Sequence, residues 1–322
     1  MSSCAIIIPA VKESNLMNNC IKSCLNQSWE QIKVYVVLDI LPKKKIKNSK
    51  LIYLLCPGHI SKKRNFAANI ANEDFLAFID SDAYPEFKWI ENGIKFFEKN
   101  KDFSGLLTGP DLAFPNEKGF EKVLSYVNKS YFISGSKKFR KNLNTKSKFV
   151  SHASSCNMLL QKVLFDKIGG MDEDIYVGED IAFCDKIKKY KNKIYFLNNL
   201  IIYHKTRSLI PFFAQRFVYG TSVISSFKHS GIIKNFEFFI PFFIVVIPLI
   251  IIIFFNEYFL FNLKIYFLFS LFVFAESLYI SNIKNFILVY IIILISTVLF
   301  GTGTAMSFFL NIKKIKKIYL IR

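Results

Sequence analysis

The chain lacks a Gly-x-Gly-x-x-Gly after its first apolar strand, which disfavours a dinucleotide site. It also lacks a Gly-Lys-Ser/Thr, which removes the P-loop. It has no Cys-x-x-Cys pair. Its six cysteines, at 4, 20, 24, 56, 156 and 184, are scattered, and Cys20 and Cys24 sit at helical spacing. Neither a zinc site nor a disulfide framework follows. Reduced, mostly buried thiols in a cytosolic domain are expected instead. Acids are scarce: 24 Asp and Glu face 43 Lys and Arg, a net charge of +19. Such an excess suits nucleic acid, but no nucleic-acid motif accompanies it, so no nucleic-acid partner is expected. An anionic membrane surface and anionic substrates explain the charge better. An apolar strand begins at Cys4, so no cleavable signal peptide is expected.

Composition changes abruptly near residue 236 of the 322. Upstream, charged and apolar segments mix as in a soluble α/β protein; downstream, Phe, Ile and Leu dominate. Apolar runs at residues 4–10, 33–39, 51–55 and 75–79 read as buried strands. Between and after them, residues 15–25 (with Asn15 as the cap), 61–71 and 87–99 carry helical spacing. That alternation predicts a nucleotide-binding α/β sheet. Acids close two of the strands: Asp39 ends the second, and Asp80 and Asp82 follow the fourth. Open α/β sheets bind ligands at this carboxyl edge. Paired carboxylates there suit Mg²⁺ or Mn²⁺, which take oxygen ligands and bridge to phosphates. Alone, an Asp-x-Asp more often just starts the next helix.

The helix at 61 carries Lys62, Lys63, Arg64 and Asn65 in its first turn, against the helix dipole. A neighbouring anion such as a nucleotide diphosphate, or a solvated basic patch, explains this equally. Residues 110–150, with Pro110, Pro115, Gly119, Gly135 and a lysine-rich run at 137–148, read as a mobile loop. A strand is expected at 157–160, and a helix at 162–168 ended by Gly169 and Gly170. An acid-rich turn then leads into a helix at 181–189 with Glu179 and Asp180 at its start, where the dipole also favours carboxylates for purely structural reasons. Short strands at 193–196 and 201–203 end at His204.

Taken in order, several segments resemble a family. They are Ile6-Ile-Ile-Pro-Ala10 with Glu13, Ser23 to Gln27, Val36-Val-Leu-Asp39 and Lys63-Arg-Asn65. They continue with Phe78-Ile-Asp-Ser-Asp-Ala83, Gly169-Gly-Met-Asp172, Gly178-Glu-Asp180 and His204 to Arg207. The set, over roughly residues 3–225, resembles the family 2 inverting glycosyltransferases of the GT-A fold. The resemblance implies a mixed, mostly parallel sheet that binds a nucleotide-sugar donor. It implies that Pro9, Glu13 and Asp39 line the nucleoside pocket and that Arg64 lies near the ribose or diphosphate. Asp80 and Asp82 match the family's Asp-x-Asp, with Asp82 the direct ligand of Mg²⁺ or Mn²⁺. Asp180, beside Glu179, matches the general base that deprotonates the acceptor hydroxyl. His204 falls where some members place a further metal ligand, although a lone His after a strand is more often a core or surface residue. Arg207, Gln215 and Arg216 fall where membrane-bound members hold acceptor or diphosphate; lipid headgroups are the alternative. One departure is that Asp39 is followed by Ile-Leu-Pro, where members often carry a second acid and Gly-Ser.

Uncharged runs at 238–255 and 286–310 are long enough to cross a bilayer, and residues 258–280 are apolar apart from Lys264 and Glu276. The basic tail at 313–317 also favours the cytosol, which calls for an even number of crossings, whereas the runs offer three candidates, so two or three crossings are expected. The expected organisation is a GT-A domain at 1–207, an interfacial helix and linker at 208–235, and transmembrane helices with a basic tail at 236–322. The expected setting is a multi-pass protein of the inner (plasma) membrane with its catalytic domain cytoplasmic, acting on a lipid-linked or membrane-proximal glycan acceptor in cell-envelope synthesis. The alternatives are a polyprenyl-phosphate sugar synthase, which usually lacks the Glu-Asp base, a nucleotidyltransferase, which needs no membrane part, and a non-catalytic GT-A-like membrane subunit, against which the intact acids argue.

Overall fold

A computed structural model describes residues 2–223, 237–254 and 258–309. The basic tail and residues 224–236 of the expected linker lie outside the described residues. The chain forms two compact units: an α/β unit of Met1–Phe114 with Arg140–Lys205, and a helical unit of Pro115–Phe139 with the chain from Thr206 onward.

In the α/β unit, β1 (Cys4–Pro9) is buried along its whole length. Its alternate side chains feed two cores. Cys4, Ile6 and Ile8 join the layer of α1 (Asn15–Leu25) and α3 (Trp89–Lys99). Ala5 and Ile7 join the layer of α2 (Ile60–Ile70), α6 (Lys162–Lys167) and α7 (Glu179–Lys189). A strand covered on both faces has no polar side to alternate with, hence the continuous apolar run. With β2 (Ile32–Leu38), β3 (Leu51–Leu55), β4 (Phe75–Phe78), β6 (Gly105–Thr108), β8 (Lys148–Val150), β9 (Met158–Gln161) and β10 (Lys193–Phe196), it builds an eight-stranded sheet in the order β3-β2-β1-β4-β9-β6-β10-β8. β9 runs antiparallel to β4 and β6, and β8 antiparallel to β10; the other pairs are parallel. This is the mixed sheet that the resemblance implies. A small second sheet sets β11 (Ile202–His204) between β5 (Ala83–Pro85) and β7 (Asp111–Ala113).

Buried Asn157 locks the junction of the two sheets. It accepts from Trp89 Nε1 at 2.9 Å and donates to Pro110 O at 3.1 Å and Leu200 O at 2.8 Å, while Thr108 Oγ1 donates to its carbonyl at 2.8 Å. The α1 cap is Ser14, not Asn15: Ser14 is extended and its Oγ accepts from Met17 N at 3.1 Å, which leaves Asn15 already helical.

The helical unit corrects the reading of 110–150 as a loop. It holds α4 (Gly119–Val127), α5 (Tyr131–Ser134) and a 3₁₀ segment (Gly135–Lys141) that continues into the α/β unit. Val123, Leu124 and Val127 form an apolar face that packs with Phe212, Val273 and Ile292. The lysines and glycines around that face masked it in the sequence. The longer helices are α8 (Leu209–Thr221), α9 (Ile240–Phe254), α10 (Phe259–Ile280) and α11 (Phe286–Ser307). Two of them, α10 and α11, are long and apolar enough to cross a membrane, with mean hydropathy 1.7 and 2.4. Within the described residues α9 covers 15 residues, about 22 Å. Glu276 of α10 is not left bare: it accepts from Ser130 Oγ at 2.5 Å and Tyr131 N at 2.7 Å, at the start of α5. α8 and α11 cross at glycines. A Cβ on Gly220 would lie 2.2 Å from Phe300 O, and one on Gly303 would lie 2.3 Å from Phe217 O.

Candidate active site

The site grows from the carboxyl ends of β1, β2 and β4. Asp39, just past β2, accepts from Lys63 Nζ and from Gly58 N, both at 2.9 Å, and Lys63 also donates to Ala10 O at 2.6 Å. The next residue of α2 is Arg64, whose guanidinium is wholly buried. It donates to Asp80 Oδ1 at 2.7 Å and to Glu179 Oε1 at 3.4 Å. The anions that offset the cations at the start of α2 are therefore the chain's own carboxylates. Arg64 joins two acid stretches about a hundred residues apart in sequence.

The small sheet supplies the rest. In register, β11 sets His204 against Ala83, immediately after Asp82. His204 Nε2 lies 3.0 Å from Asp82 Oδ1, and its Nδ1 lies 3.6 Å from Asp111 Oδ1. Asp111, at the start of β7, takes Lys141 Nζ at 2.7 Å on its other oxygen. Burial alone would raise the Asp111 carboxyl, but Lys141, His204 and Arg140 outweigh it and hold it well below the usual carboxylate range. Burial alone would lower His204, but Asp82 and Asp111 push the imidazole well above its ordinary value. The donor atoms of Asp80, Asp82 and His204 lie within 4.8 Å of one another, as do those of Asp111, Cys156 and His204. Two carboxylates and an imidazole suit a divalent cation of the Mn²⁺ or Mg²⁺ type. The buried thiol of Cys156, raised chiefly by its burial, makes the second trio a poorer match for such hard ions.

α7 opens on Gly178 in the left-handed region and presents both acids in its first turn. Glu179 Oε1 also accepts from Ser155 Oγ at 3.1 Å. Burial first, then the neighbouring Asp180, pushes the Glu179 carboxyl up to about 7 against the pull of Arg64. Asp180 Oδ1 accepts from Ile181 N at 2.9 Å, and its Oδ2 lies 3.3 Å from Nε2 of buried His152.

Of the residues singled out in the sequence, Arg64, Asp80 and Glu179 form one connected cluster, with Asp82 and His204 beside Asp80. Asp39 is tied to the same helix through Lys63. Pro9 ends β1, and Glu13 is exposed and accepts from Asn18 Nδ2 at 3.1 Å. Arg207, Gln215 and Arg216 belong to the helical unit. Arg207 is exposed, Gln215 donates to Tyr219 Oη at 2.6 Å, and Arg216 donates to Ile133 O at 3.1 Å with its guanidinium 4.8 Å from the Phe300 ring. Sequence reasoning missed Asp111, Lys141, His152 and Ser155. All four sit in the region read as a loop or on its flank, and their partners are distant in the chain.

The chain is similar to two curated glycosyltransferases. One is a dolichyl N-acetyl-alpha-D-glucosaminyl phosphate 3-beta-D-2,3-diacetamido-2,3-dideoxy-beta-D-glucuronosyltransferase of Methanococcus voltae, 24% identical over 238 residues, covering 69% of this chain and 73% of the relative. The other is WfaP of Escherichia coli, a UDP-Glc:alpha-D-GlcNAc-diphosphoundecaprenol beta-1,3-glucosyltransferase, 26% identical over 180 residues, covering 52% of this chain and 62% of the relative. Among solved structures, GalNAc-T7 with UDP, GalNAc and Mn²⁺ matches with a TM-score of 0.48 at 11% identity, over 64% of this chain and 44% of that one. TarS of S. aureus matches with a TM-score of 0.44 at 16% identity, over 74% of this chain and 42% of that one. Residues 5–169, just over half of the 322, match the glycosyl transferase family 2 as a whole, and the chain belongs to that family.

Proposed function

We propose that this glycosyltransferase moves a sugar from a nucleotide-sugar donor to a lipid-linked or membrane-proximal glycan acceptor, with inversion at the anomeric carbon. The single observation that carries the reading is buried Arg64, which gathers Asp80 and Glu179 into one cluster beside Asp82 and His204.

The chain's own residues divide the work. Pro9, Glu13 and Asp39 border the nucleoside, with Asp39 held by Lys63 and Gly58 N. Arg64 holds the acids in place and puts positive charge next to the donor's diphosphate. Asp80, Asp82 and His204 would hold Mg²⁺ or Mn²⁺, which when bound neutralises charge on the departing nucleoside diphosphate. Asp180 takes the proton from the acceptor hydroxyl as that oxygen bonds to the anomeric carbon. The bond from that carbon to the diphosphate oxygen breaks in the same displacement, so no enzyme nucleophile is needed. Help of this kind from a general base contributes about 10²–10⁴-fold. Glu179, pushed up to about 7 by burial and by Asp180, holds its proton to higher pH than an ordinary carboxylate. An acceptor- or diphosphate-side role for Arg207, Gln215 and Arg216 rests on the resemblance alone. The two apolar helices support a multi-pass setting in the inner membrane, with the α/β unit facing the cytoplasm where nucleotide sugars are made.

The test incubates membranes carrying the full chain with a panel of labelled nucleotide sugars and Mn²⁺, and measures label extracted with lipid. Transfer from at least one donor, absent in Asp82→Asn and Asp180→Asn, supports the proposal. No transfer from any donor, or equal transfer by the variants, refutes it.

A further inference from the structure

The stretch between β8 and β9 carries contacts to α7 that the proposed chemistry leaves unused. His152 is 7% exposed, and its Nε2 lies 3.3 Å from Asp180 Oδ2. Three residues on, Ser155 Oγ donates to Glu179 Oε1 at 3.1 Å. Between them, Ala153 N donates to Cys184 Sγ at 3.2 Å, one turn further along α7. A short segment therefore grips the helix at three points and meets its two leading acids separately. Asn157, with its buried bonds to both sheets, anchors the end of that segment. The Asp180 carboxylate is thus flanked on two sides: Oδ1 accepts from the backbone N–H of Ile181, and Oδ2 faces the imidazole at 3.3 Å. A carboxylate on the surface of a helix end samples several rotamers; one bracketed in this way presents the same lone pairs to an incoming hydroxyl each time.

We propose that His152 is a positioning residue for Asp180: its imidazole, with Nε2 3.3 Å from Oδ2, fixes the carboxylate's orientation and leaves its remaining lone pairs directed at the acceptor hydroxyl. This rests on the reading of Asp180 as the base. The logic is that of a catalytic group oriented by a second side chain behind it. Ser155, with Arg64, does the same for Glu179, so each acid has its own holder.

Two measurements test it. The first needs no substrate. In the full chain labelled with ¹⁵N-histidine, which has four imidazoles, His152→Gln identifies the His152 signals. Asp180→Asn is expected to move those signals; if they stay where they are, the pairing is overturned. The second follows UDP release from UDP-glucose with Mn²⁺ in the same membranes, and the full donor panel where UDP-glucose is not turned over. His152→Ala is expected to lower kcat on the order of 10²-fold, the scale of a misplaced group, with KM for the donor nearly unchanged. His152→Gln, whose amide N–H reaches about as far, is expected to recover part of the loss. His152→Ala should add nothing further in an Asp180→Asn background. Full activity of His152→Ala beside an inactive Asp180→Asn overturns the positioning role and leaves the base standing. Full activity of Asp180→Asn overturns the base reading itself, while the imidazole signals still report on the pair.

Discussion

Glu179→Gln separates electrostatics from packing in this site. The Glu179 carboxyl is pushed from an ordinary 4.5 to about 7, so the folded chain binds its proton more tightly than the unfolded chain does. Where the folded state binds more protons, stability falls as pH rises. Below about 4.5 both states carry the proton and this effect is absent. Between 4.5 and about 7 it grows, and above that it is complete. At ~1.36 kcal/mol per pH unit, the ionised Glu179 costs the wild-type chain about 3 kcal/mol by pH 8. Its side chain is only 14% exposed, so solvent screening removes little of this. Gln cannot ionise, so Glu179→Gln lacks that loss. Any fixed penalty from weakening the Arg64 contact is the same at every pH and cancels in the comparison. Both tryptophans, Trp29 and Trp89, lie in the α/β unit, so urea unfolding followed by their fluorescence reads this unit. With EDTA present, the variant should gain about 3 kcal/mol on wild type between pH 4.5 and pH 8. A gap that stays constant over that range refutes the assignment of a buried, proton-retaining Glu179.

Asn157→Ala strands the Trp89 N–H and the carbonyl of Leu200, while Pro110 O keeps its bond from Ile202 N, and at 1–3 kcal/mol for each unmatched group it should destabilise the unit by roughly 2–6 kcal/mol in the same urea assay. Gly303→Ala places a methyl 2.3 Å from Phe217 O, so the crossing of α8 and α11 should loosen, read as faster proteolysis of the helical unit in detergent; unchanged proteolysis contradicts the close crossing. His204→Ala should weaken Mn²⁺ binding by no less than the roughly 10–100-fold that loss of an outer partner costs, measured by electron paramagnetic resonance of free Mn²⁺; an unchanged affinity removes His204 from the cation site.

Much of the fold was legible because burial on both faces writes itself as continuous apolar runs, as in β1 and β4. The site acids were legible for a related reason: a strand that ends in Asp39 or Asp80 breaks its run with charge at the sheet edge. Arg64 was legible as a cation that the dipole of α2 disfavours, but its counter-charges were not, since Asp80 and Glu179 come to it only through the sheet. Asp111 and His152 left no mark at all. Each is one polar residue in a stretch rich in Gly, Pro and Lys, and its partner lies 28 or more residues away. The same surroundings hid α4, whose three buried residues occupy one face of a short helix. The first apolar run reads as a bilayer span; its helix covers Ile240–Phe254 within the described residues, and the run's end at 255 lies outside them.

The most direct measurement is the comparison of donor binding and sugar transfer in Asp180→Asn. Transfer is expected to fall by about 10²–10⁴-fold while affinity for the nucleotide sugar with Mn²⁺ stays close to wild type. Full turnover by Asp180→Asn would contradict the joining of the two acid stretches into one catalytic site.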